Sequence, residues 1–130
     1  MQIALIAQDD KKELMVQLCI AYCGVLAKHK ICATASTGRI VSDATGLEIE
    51  YLLSAAAGGR EQISSRIVYG EIDIVFYFRS SSAHEIDALD AELIHLCESY
   101  NLPLATNLAT AEAVILALSR GDLDWRNNVR

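Results

Sequence analysis

The strongest constraint on the fold of this chain is the alternation of short apolar runs with amphipathic segments of helical period, repeated along its 130 residues. The apolar runs predict strands at residues 2–7, 31–35, 47–53, 72–78 and 103–106. The amphipathic segments predict helices at residues 10–30, 36–44, 60–69, 87–100 and 109–119. Such an alternation is typical of a parallel sheet with helices on both faces.

Local signals mark the ends of several of these elements. Asp10 and Glu13 have the spacing of a capping box and predict the start of the first helix. His29 and Lys30 place positive charge at the end of that helix, where its dipole is negative. Hydrophobic residues make up 52% of the chain and charged residues 22%, so we expect one compact domain over residues 1–130.

Charge and hydropathy exclude several classes of partner. The formal net charge of −6 and the pI of about 4.9 argue against general affinity for nucleic acid or anionic membranes. The longest uncharged run, residues 14–27, is shorter than the roughly 20 residues of a bilayer span, and the first residues lack the pattern of a signal peptide. We therefore expect a cytoplasmic protein. A small anionic ligand remains compatible, since a few backbone N–H groups can bind one.

The cysteines raise the question of a metal site. Cys19 and Cys23 lie four residues apart on one predicted helix, but no His or Cys pair stands at partner spacing elsewhere. In a reducing compartment, free cysteines behave as small apolar core residues. We expect Cys19, Cys23, Cys32 and Cys97 to pack in the core, and neither a metal nor another cofactor to be bound.

Polar and small residues cluster in four loops that follow predicted strands, at residues 8–10, 34–38, 54–60 and 79–87. In parallel sheets, ligands bind beyond the carboxyl ends of the strands, where these loops lie. The hydroxyls of residues 34–38 stand between a strand and a helix, where they either bind an anion or cap the helix. The small residues 54–59 either let a ligand approach the backbone or form a tight connection.

A family resemblance extends over nearly the whole chain. It is carried by IALIAQDDKK at 3–12, ATASTG at 33–38, ATGLEIE at 44–50, GG with a following Gln at 58–62, DIVFYFR at 73–79, NLPLATNLATAE at 101–112 and GDLDWR at 121–126. In these stretches the chain resembles the methylglyoxal synthases, lyases that convert dihydroxyacetone phosphate to methylglyoxal and inorganic phosphate. The resemblance implies a Rossmann-like three-layer sandwich with a five-stranded parallel sheet, assembled into a homohexamer.

The resemblance also implies which residues bind the phosphate group of a small metabolite. The matching positions are Gln8, Lys12, Thr34, Ser36, Thr37, Gly38, Ser54 and Ala55. Gln8 replaces a His of the family, Ala55 replaces a Gly, and Ser36 replaces a Thr but keeps its hydroxyl. From the residues alone, Asp9 and Lys12 are either a charged pair at the rim of a ligand site or ordinary charges of a first helical turn.

The family's catalytic positions are altered. Arg60 stands where the family has the Asp that removes a carbon-bound proton, and a guanidinium has five donors and no acceptor, so it cannot act as that base. Glu61 and Asp9 are the candidates to replace it. In the fourth loop, His84 and Asp87 keep the family's His-x-x-Asp spacing; the alternative is a solvated histidine followed by a helix cap.

These observations lead to two main hypotheses of function. In the first, the chain is a methylglyoxal synthase that retains the reaction through rearranged residues. In the second, it is a catalytically silent relative that binds an anionic metabolite and regulates a partner, as the similar regulatory domain of carbamoyl phosphate synthetase binds effectors. A purely structural oligomer subunit is a third hypothesis.

We expect a small phosphorylated metabolite or inorganic phosphate as partner; under the second hypothesis the metabolite is either phosphorylated or carboxylated. We expect Lys12, Arg60 and Arg79 to make this end of the sheet locally positive. The sequence leaves open whether Arg126 or Arg130 reaches the site of a neighbouring subunit.

Overall fold

The computed structural model of the chain describes residues 1–82 and 84–128. Its strands are β1 (Gln2–Ala7), β2 (Lys30–Ala33), β3 (Ile49–Tyr51), β4 (Ile74–Phe78) and β5 (Leu104–Ala105). Its helices are α1 (Lys12–Ala21), α2 (Cys23–Leu26), α3 (Ala35–Thr45), α4 (Gly59–Val68), α5 (Ala88–Ser99) and α6 (Leu108–Ser119). The five strands pair in parallel in the order β3-β2-β1-β4-β5, which confirms the predicted fold class.

Two hydrophobic cores lie on opposite faces of the sheet, because successive side chains of a strand point to opposite faces. Along β1, Ile3 and Leu5 belong to the cluster that contains residues of α1, α3 and α6. Ala4 and Ile6 belong to the cluster that contains residues of α4 and α5. Burial on both faces explains why β1 and β4 are continuous apolar runs in the sequence. The result is a sheet between two helical layers.

The predicted capping box at the first helix is wrong. A 3-10 turn, Asp9–Lys11, precedes α1, and the helix begins at Lys12 with no side-chain cap. The carboxylate of Asp10 instead accepts hydrogen bonds from the Ser80 hydroxyl and from the backbone N–H of Ser81. A contact across the sheet with the loop after β4 therefore replaces the local cap.

Two other predicted elements are shorter in the structure. The helix expected over residues 10–30 breaks at Tyr22, whose hydroxyl donates to Glu112 of α6 at 2.9 Å, and its second part ends at Leu26. The strand expected over residues 47–53 is only Ile49–Tyr51, because β3 is an edge strand that pairs with β2 alone.

Two glycines allow the close backbone packing that shapes the loops at the carboxyl ends of the strands. A Cβ at Gly38 would lie 2.7 Å from the ring of Tyr51, and a Cβ at Gly59 would lie 2.2 Å from the carbonyl oxygen of Leu53. Both distances are too short for a side chain, so α3 and α4 can begin against these neighbours only with glycine at these positions.

Residues 124–128 pack on their own subunit. Arg126 lies in a 3-10 turn, Asp124–Asn128, and is 6% exposed. Its Nε lies 3.6 Å from a carboxylate oxygen of the buried Asp73, and its Nη1 donates to the carbonyl oxygen of Asn101. Arg126 is thus part of the interior of this subunit and not a free arm toward a neighbouring site. Arg130 lies outside the described residues.

Three of the four cysteines are buried, and burial raises the pKa of Cys19 to about 12 and that of Cys32 to about 11. All four are free thiols. Within residues 1–82 and 84–128, no group of three or more His, Cys, Asp or Glu side chains is placed to hold a metal ion. The helices of the described part are too short or too polar to cross a membrane.

Candidate functional site

A polar cleft of about 420 Å³ lies beyond the carboxyl ends of β1 and β2. It is lined by Ile6, Ala7, Gln8, Asp9, Lys12, Thr34, Ser36, Ser54, Ala55, Ala56, Arg60, Tyr77 and Asp87. Three of the four predicted loops contribute their first residues, and the fourth contributes Asp87. A wider groove of about 990 Å³ runs along the sheet edge at β3, but none of the predicted site residues lines it.

The floor of the cleft is held by hydroxyl-to-backbone hydrogen bonds. Thr37 is fully buried, and its Oγ1 accepts from the N–H of Ala7 at 3.1 Å and donates to the carbonyl oxygen of Ala7 at 3.3 Å. The hydroxyl of Thr34 donates in turn to Thr37 Oγ1. These bonds join the end of β1 to the start of α3. Thr37 and Gly38, both predicted to bind phosphate, therefore lie beneath the lining of the cleft.

The first turn of α3 supplies backbone donors to the cleft. The first three N–H groups of the helix, at residues 35–37, have no acceptor within it, because the carbonyl groups four residues before them lie outside the helix. Ala35 N–H donates to the carbonyl oxygen of Leu53, and the Thr34 side chain does not cap the helix. The N–H group of Ser36, which lines the cleft, thus stands at the positive end of an 11-residue helix, an arrangement suited to an anion.

Lys12 forms an ion pair at the rim of the cleft. Its Nζ donates to the Asp9 carboxylate at 2.6 Å and to the carbonyl oxygen of Ala7 at 3.1 Å. The hydrogen bond and charge of Lys12 hold the pKa of Asp9 below its ordinary value. Asp9 is therefore ionised at neutral pH, and its carboxylate is paired with Lys12.

The opposite wall of the cleft is a cluster around Arg60. Its Nη1 donates to Asp87 at 2.8 Å and to Asp90 at 2.9 Å, and its Nε donates to the carbonyl oxygen of Ala55 at 3.2 Å. Asp90 is 3% exposed and also accepts from the Tyr77 hydroxyl at 2.7 Å and from Arg79 Nε at 3.3 Å. One buried carboxylate thus holds two arginines and a tyrosine.

The protonation states of this cluster follow from its contacts. Burial would lower the pKa of Arg60, but the hydrogen bonds and charges of Asp87 and Asp90 outweigh burial and raise it. The Arg60 guanidinium lowers the pKa of Asp87. Burial, with the hydrogen bond to Asp90, raises the pKa of Tyr77 to about 12. At neutral pH, Arg60 is therefore charged, Asp87 is ionised and Tyr77 keeps its proton.

Gln8 connects this cluster to the loop after β4. Its Oε1 accepts from the N–H of Ser80 at 2.6 Å, and its Nε2 donates to the Tyr77 hydroxyl at 3.5 Å. Both ends of the amide side chain are thus occupied by neighbouring groups of the protein, although Gln8 lines the cleft.

The expectation of a locally positive rim needs correction. Lys12 pairs with Asp9, Arg60 pairs with Asp87 and Asp90, and Arg79 pairs with Asp90. These are three cations and three carboxylates, so their formal charges sum to zero. The physical reason is that each basic side chain has a carboxylate neighbour. Asp9 and Asp87 lie in the same loops, and the buried Asp90 approaches from α5.

Two of the predicted catalytic residues lie outside the cleft. Glu61 and His84 are exposed, and neither is part of the lining. Asp87 lines the cleft and is also the N-cap of α5, where its carboxylate accepts from the N–H of Asp90 at 2.8 Å. The helix-cap alternative for Asp87 is therefore correct, and it coexists with a place in the cleft wall.

Sequence reasoning missed Asp90 and Tyr77. A signal for Asp90 was present, because it shares the apolar face of α5 with Leu93 and Cys97 at helical spacing. A carboxylate on such a face needs a buried partner. In the sequence, Tyr77 is one residue of an apolar strand, and nothing in its neighbourhood indicates that its hydroxyl faces a cleft.

Fold and cleft together define the class of this protein as a parallel α/β domain with a polar ligand cleft at the carboxyl edge of its sheet. A family model described as "MGS-like domain" matches residues 15–106. The methylglyoxal synthase of Caldicellulosiruptor saccharolyticus is 52% identical over 99% of this chain and 92% of its own length. That of Clostridioides difficile is 48% identical over 97% of this chain and 93% of its own length.

A solved structure agrees with these matches. The crystal structure of methylglyoxal synthase from Elizabethkingia anophelis NUHP1 superposes with a TM-score of 0.80 at 34% identity, covering 88% of this chain and 76% of that one. The chain belongs to the methylglyoxal synthase family, as its sequence motifs predicted.

Proposed function

We propose that this chain binds a small phosphorylated metabolite of the dihydroxyacetone phosphate type in the polar cleft, and that it binds this ligand without the base that the family reaction requires. The observation that carries the proposal is the position of Arg60. It lines the cleft at the position that the sequence resemblance assigns to the family's base, and Asp87 and Asp90 hold it there in its charged form.

The phosphate group is assigned to the side of the cleft formed by α1, α3 and the loop after β3. Lys12 Nζ supplies a positive charge, and the hydroxyls of Ser36 and Ser54 supply further donors. The N–H group of Ser36 stands at the positive end of the α3 dipole. Thr34 and Thr37 contribute by holding this side in place. The proposed site therefore depends mainly on backbone geometry, which the substitutions at positions 8 and 60 leave unchanged.

No carboxylate of the cleft lining is placed to act as a base near neutral pH. Asp9 is bound by Lys12 and Asp87 by Arg60, and each pairing lowers the pKa of the carboxyl group. A carboxylate with a lowered pKa is a weak proton acceptor. General-base catalysis contributes roughly 10²–10⁴-fold to rate, so we expect turnover of dihydroxyacetone phosphate to be slower by at least that factor and to stay near the background rate.

Binding without rapid turnover makes a regulatory role the preferred one, in which the occupied cleft reports the level of an anionic metabolite. The second candidate is a working synthase that uses Asp9 or Asp87 as its base. It is favoured by the identity of 52% to a protein named methylglyoxal synthase.

We further propose a cytoplasmic homo-oligomer of single-domain subunits, hexameric as in the family, which light scattering of the purified chain would test.

Phosphorus NMR separates the two candidates in a single sample. The chain is mixed with dihydroxyacetone phosphate, and the substrate signal and that of inorganic phosphate are followed together. We expect the substrate signal to broaden or shift on binding while inorganic phosphate grows no faster than in buffer. Rapid growth of inorganic phosphate would establish the synthase instead.

The same experiment tests the phosphate side of the cleft. In Lys12→Ala, about tenfold more protein should be needed for the same change of the substrate signal. Arg66→Gln is the matched control, since Arg66 pairs with Glu50 and does not line the cleft. If the unmodified chain leaves the substrate signal unchanged, the proposed binding function is wrong.

A further inference from the structure

The guanidinium of Arg60 is only partly used by the protein. Its Nε and Nη1 donate to Ala55, Asp87 and Asp90. Its Nη2 has no hydrogen-bond partner among the described residues and is not a buried atom. Two N–H donors of a residue that lines the cleft are therefore open to solvent.

We propose that Arg60 Nη2 binds a carboxylate of the ligand, so that the preferred ligand of this cleft is a small phosphorylated carboxylic acid rather than a phosphorylated ketone. This inference rests on the proposed function, because it places the phosphate group of the same ligand against Lys12 and the first turn of α3.

The first support is the chemistry of the group. Arginine is the side chain best suited to planar carboxylates, because its guanidinium is always charged and presents its donors in a fixed fork. Here three hydrogen bonds already fix the orientation of the Arg60 guanidinium, so little conformational freedom remains to be lost when a ligand binds.

The second support is the local charge. Asp87 and Asp90 would repel an incoming carboxylate, but Arg60 and Arg79 balance them, so the four formal charges sum to zero. Attraction therefore depends on the directed Nη2 donors rather than on a general positive field. A phosphorylated ketone has no second anionic group to accept from these donors once its phosphate is bound on the other side of the cleft.

The third support is the reach of the cleft. Arg60 Nε donates to Ala55, which directly follows Ser54, and these residues and Lys12 line one cleft of about 420 Å³. A single small ligand that carries its two anionic groups at opposite ends can therefore contact Arg60 and the phosphate side of the cleft together.

Calorimetric titration with two matched compounds tests this assignment. Glycerol 3-phosphate and 3-phosphoglycerate share a phosphorylated three-carbon chain and differ in a CH₂OH group against a carboxylate. We expect the unmodified chain to bind 3-phosphoglycerate at least about tenfold more tightly, the size of one charge-assisted hydrogen bond. In Arg60→Gln this preference should fall to within about twofold, whatever loss of affinity the two compounds share. Arg66→Gln, a change on the same helix outside the cleft, should keep the full preference.

The outcomes distinguish this inference from the function on which it rests. Equal binding of the two compounds by the unmodified chain would overturn the inference and leave the phosphate site standing. Failure of both compounds to bind would overturn the phosphate site and the inference with it. A preference that persists in Arg60→Gln, shown by circular dichroism to be folded, would overturn the role of Arg60. If that variant does not fold, the comparison of the two compounds on the unmodified chain still tests the preference for a carboxylate.

Discussion

The two walls of the cleft are built on different principles. In the α3 wall, which comprises Lys12, Thr34, Ser36 and Thr37, buried hydroxyls hold the backbone and leave first-turn N–H groups for a ligand. In the α5 wall, which comprises Arg60, Tyr77, Asp87 and Asp90, charged side chains bind one another.

Under the proposed function, this difference accounts for a binding site kept without the family reaction. Anion binding by backbone groups survives the exchange of nearby side chains, because every residue except proline supplies an N–H. Proton abstraction depends on one carboxylate with a free lone pair. In our proposal, Arg60 stands in place of that carboxylate, and it also pairs with Asp87 and Asp90.

The α5 wall should be the more sensitive to loss of its central charge. Asp90→Ala leaves two arginines and the Tyr77 hydroxyl without their shared acceptor, and removing one partner of a buried ionic network costs about 3 kcal/mol of unfolding free energy. Urea denaturation measures this loss. Asp87→Asn is the control, since its side chain is exposed and Asn also caps helices. Equal losses in the two variants would show that Asp90 is not the centre of the wall.

The α3 wall should depend on one hydroxyl. Thr37→Val removes the group that pairs with both the N–H and the carbonyl oxygen of Ala7, at a cost of about 1–3 kcal/mol for buried polar groups left without a partner. Thr37→Ser keeps the hydroxyl and should lose much less. The same denaturation series checks both variants, and a Val variant as stable as the Ser variant would contradict the assigned role.

Phosphate affinity should respond to the ion pair at the rim of the α3 wall. Lys12→Ala should weaken binding of inorganic phosphate about tenfold, as loss of a charge-assisted hydrogen bond does. Asp9→Asn should strengthen it, because Lys12 then no longer has an anionic partner. Thermal stabilisation of each variant by phosphate measures the order of affinities. Weaker binding in Asp9→Asn would mean that the carboxylate, and not the ammonium, contacts the ligand.

The smallest expected effect is the response of the α5 wall to acid. The pKa of Asp87 is lower in the folded chain than its ordinary value of 3.8. Its ion pair with Arg60 therefore contributes stability above pH 3.8, and this contribution is lost as the pH falls through the folded pKa. Unfolding free energies measured between neutral pH and pH 2 should fall less steeply in Asp87→Asn than in the unmodified chain. Parallel curves would show that the pair does not contribute.

The parts of this protein that follow from local pattern could be predicted from its sequence. Burial on both faces makes β1 and β4 continuous apolar runs, from which a parallel sheet can be predicted. Most of the residues of the cleft were also found, because the carboxyl ends of parallel strands meet at one edge.

The features that could not be predicted from the sequence are contacts between segments far apart in the chain. Asp10 was assigned to a helix cap but bonds to the loop after β4, 70 residues away. The positive rim was an error of the same kind, since Asp90 reaches Arg60 from another helix, 30 residues away. Local propensity does not determine such partners, whereas tertiary packing does.

The central claim is that Arg60 has removed the base from a retained binding cleft. The most direct measurement is the initial rate of methylglyoxal formation from dihydroxyacetone phosphate by the unmodified chain and by the Arg60→Asp, Gln8→His double variant, with Arg66→Gln as control. We expect the unmodified chain and the control to stay near the background rate, and the double variant to be faster by at least about tenfold, as restored general-base catalysis allows. Turnover by the unmodified chain at ordinary enzyme rates, on the order of 1–10³ per second, would contradict the claim.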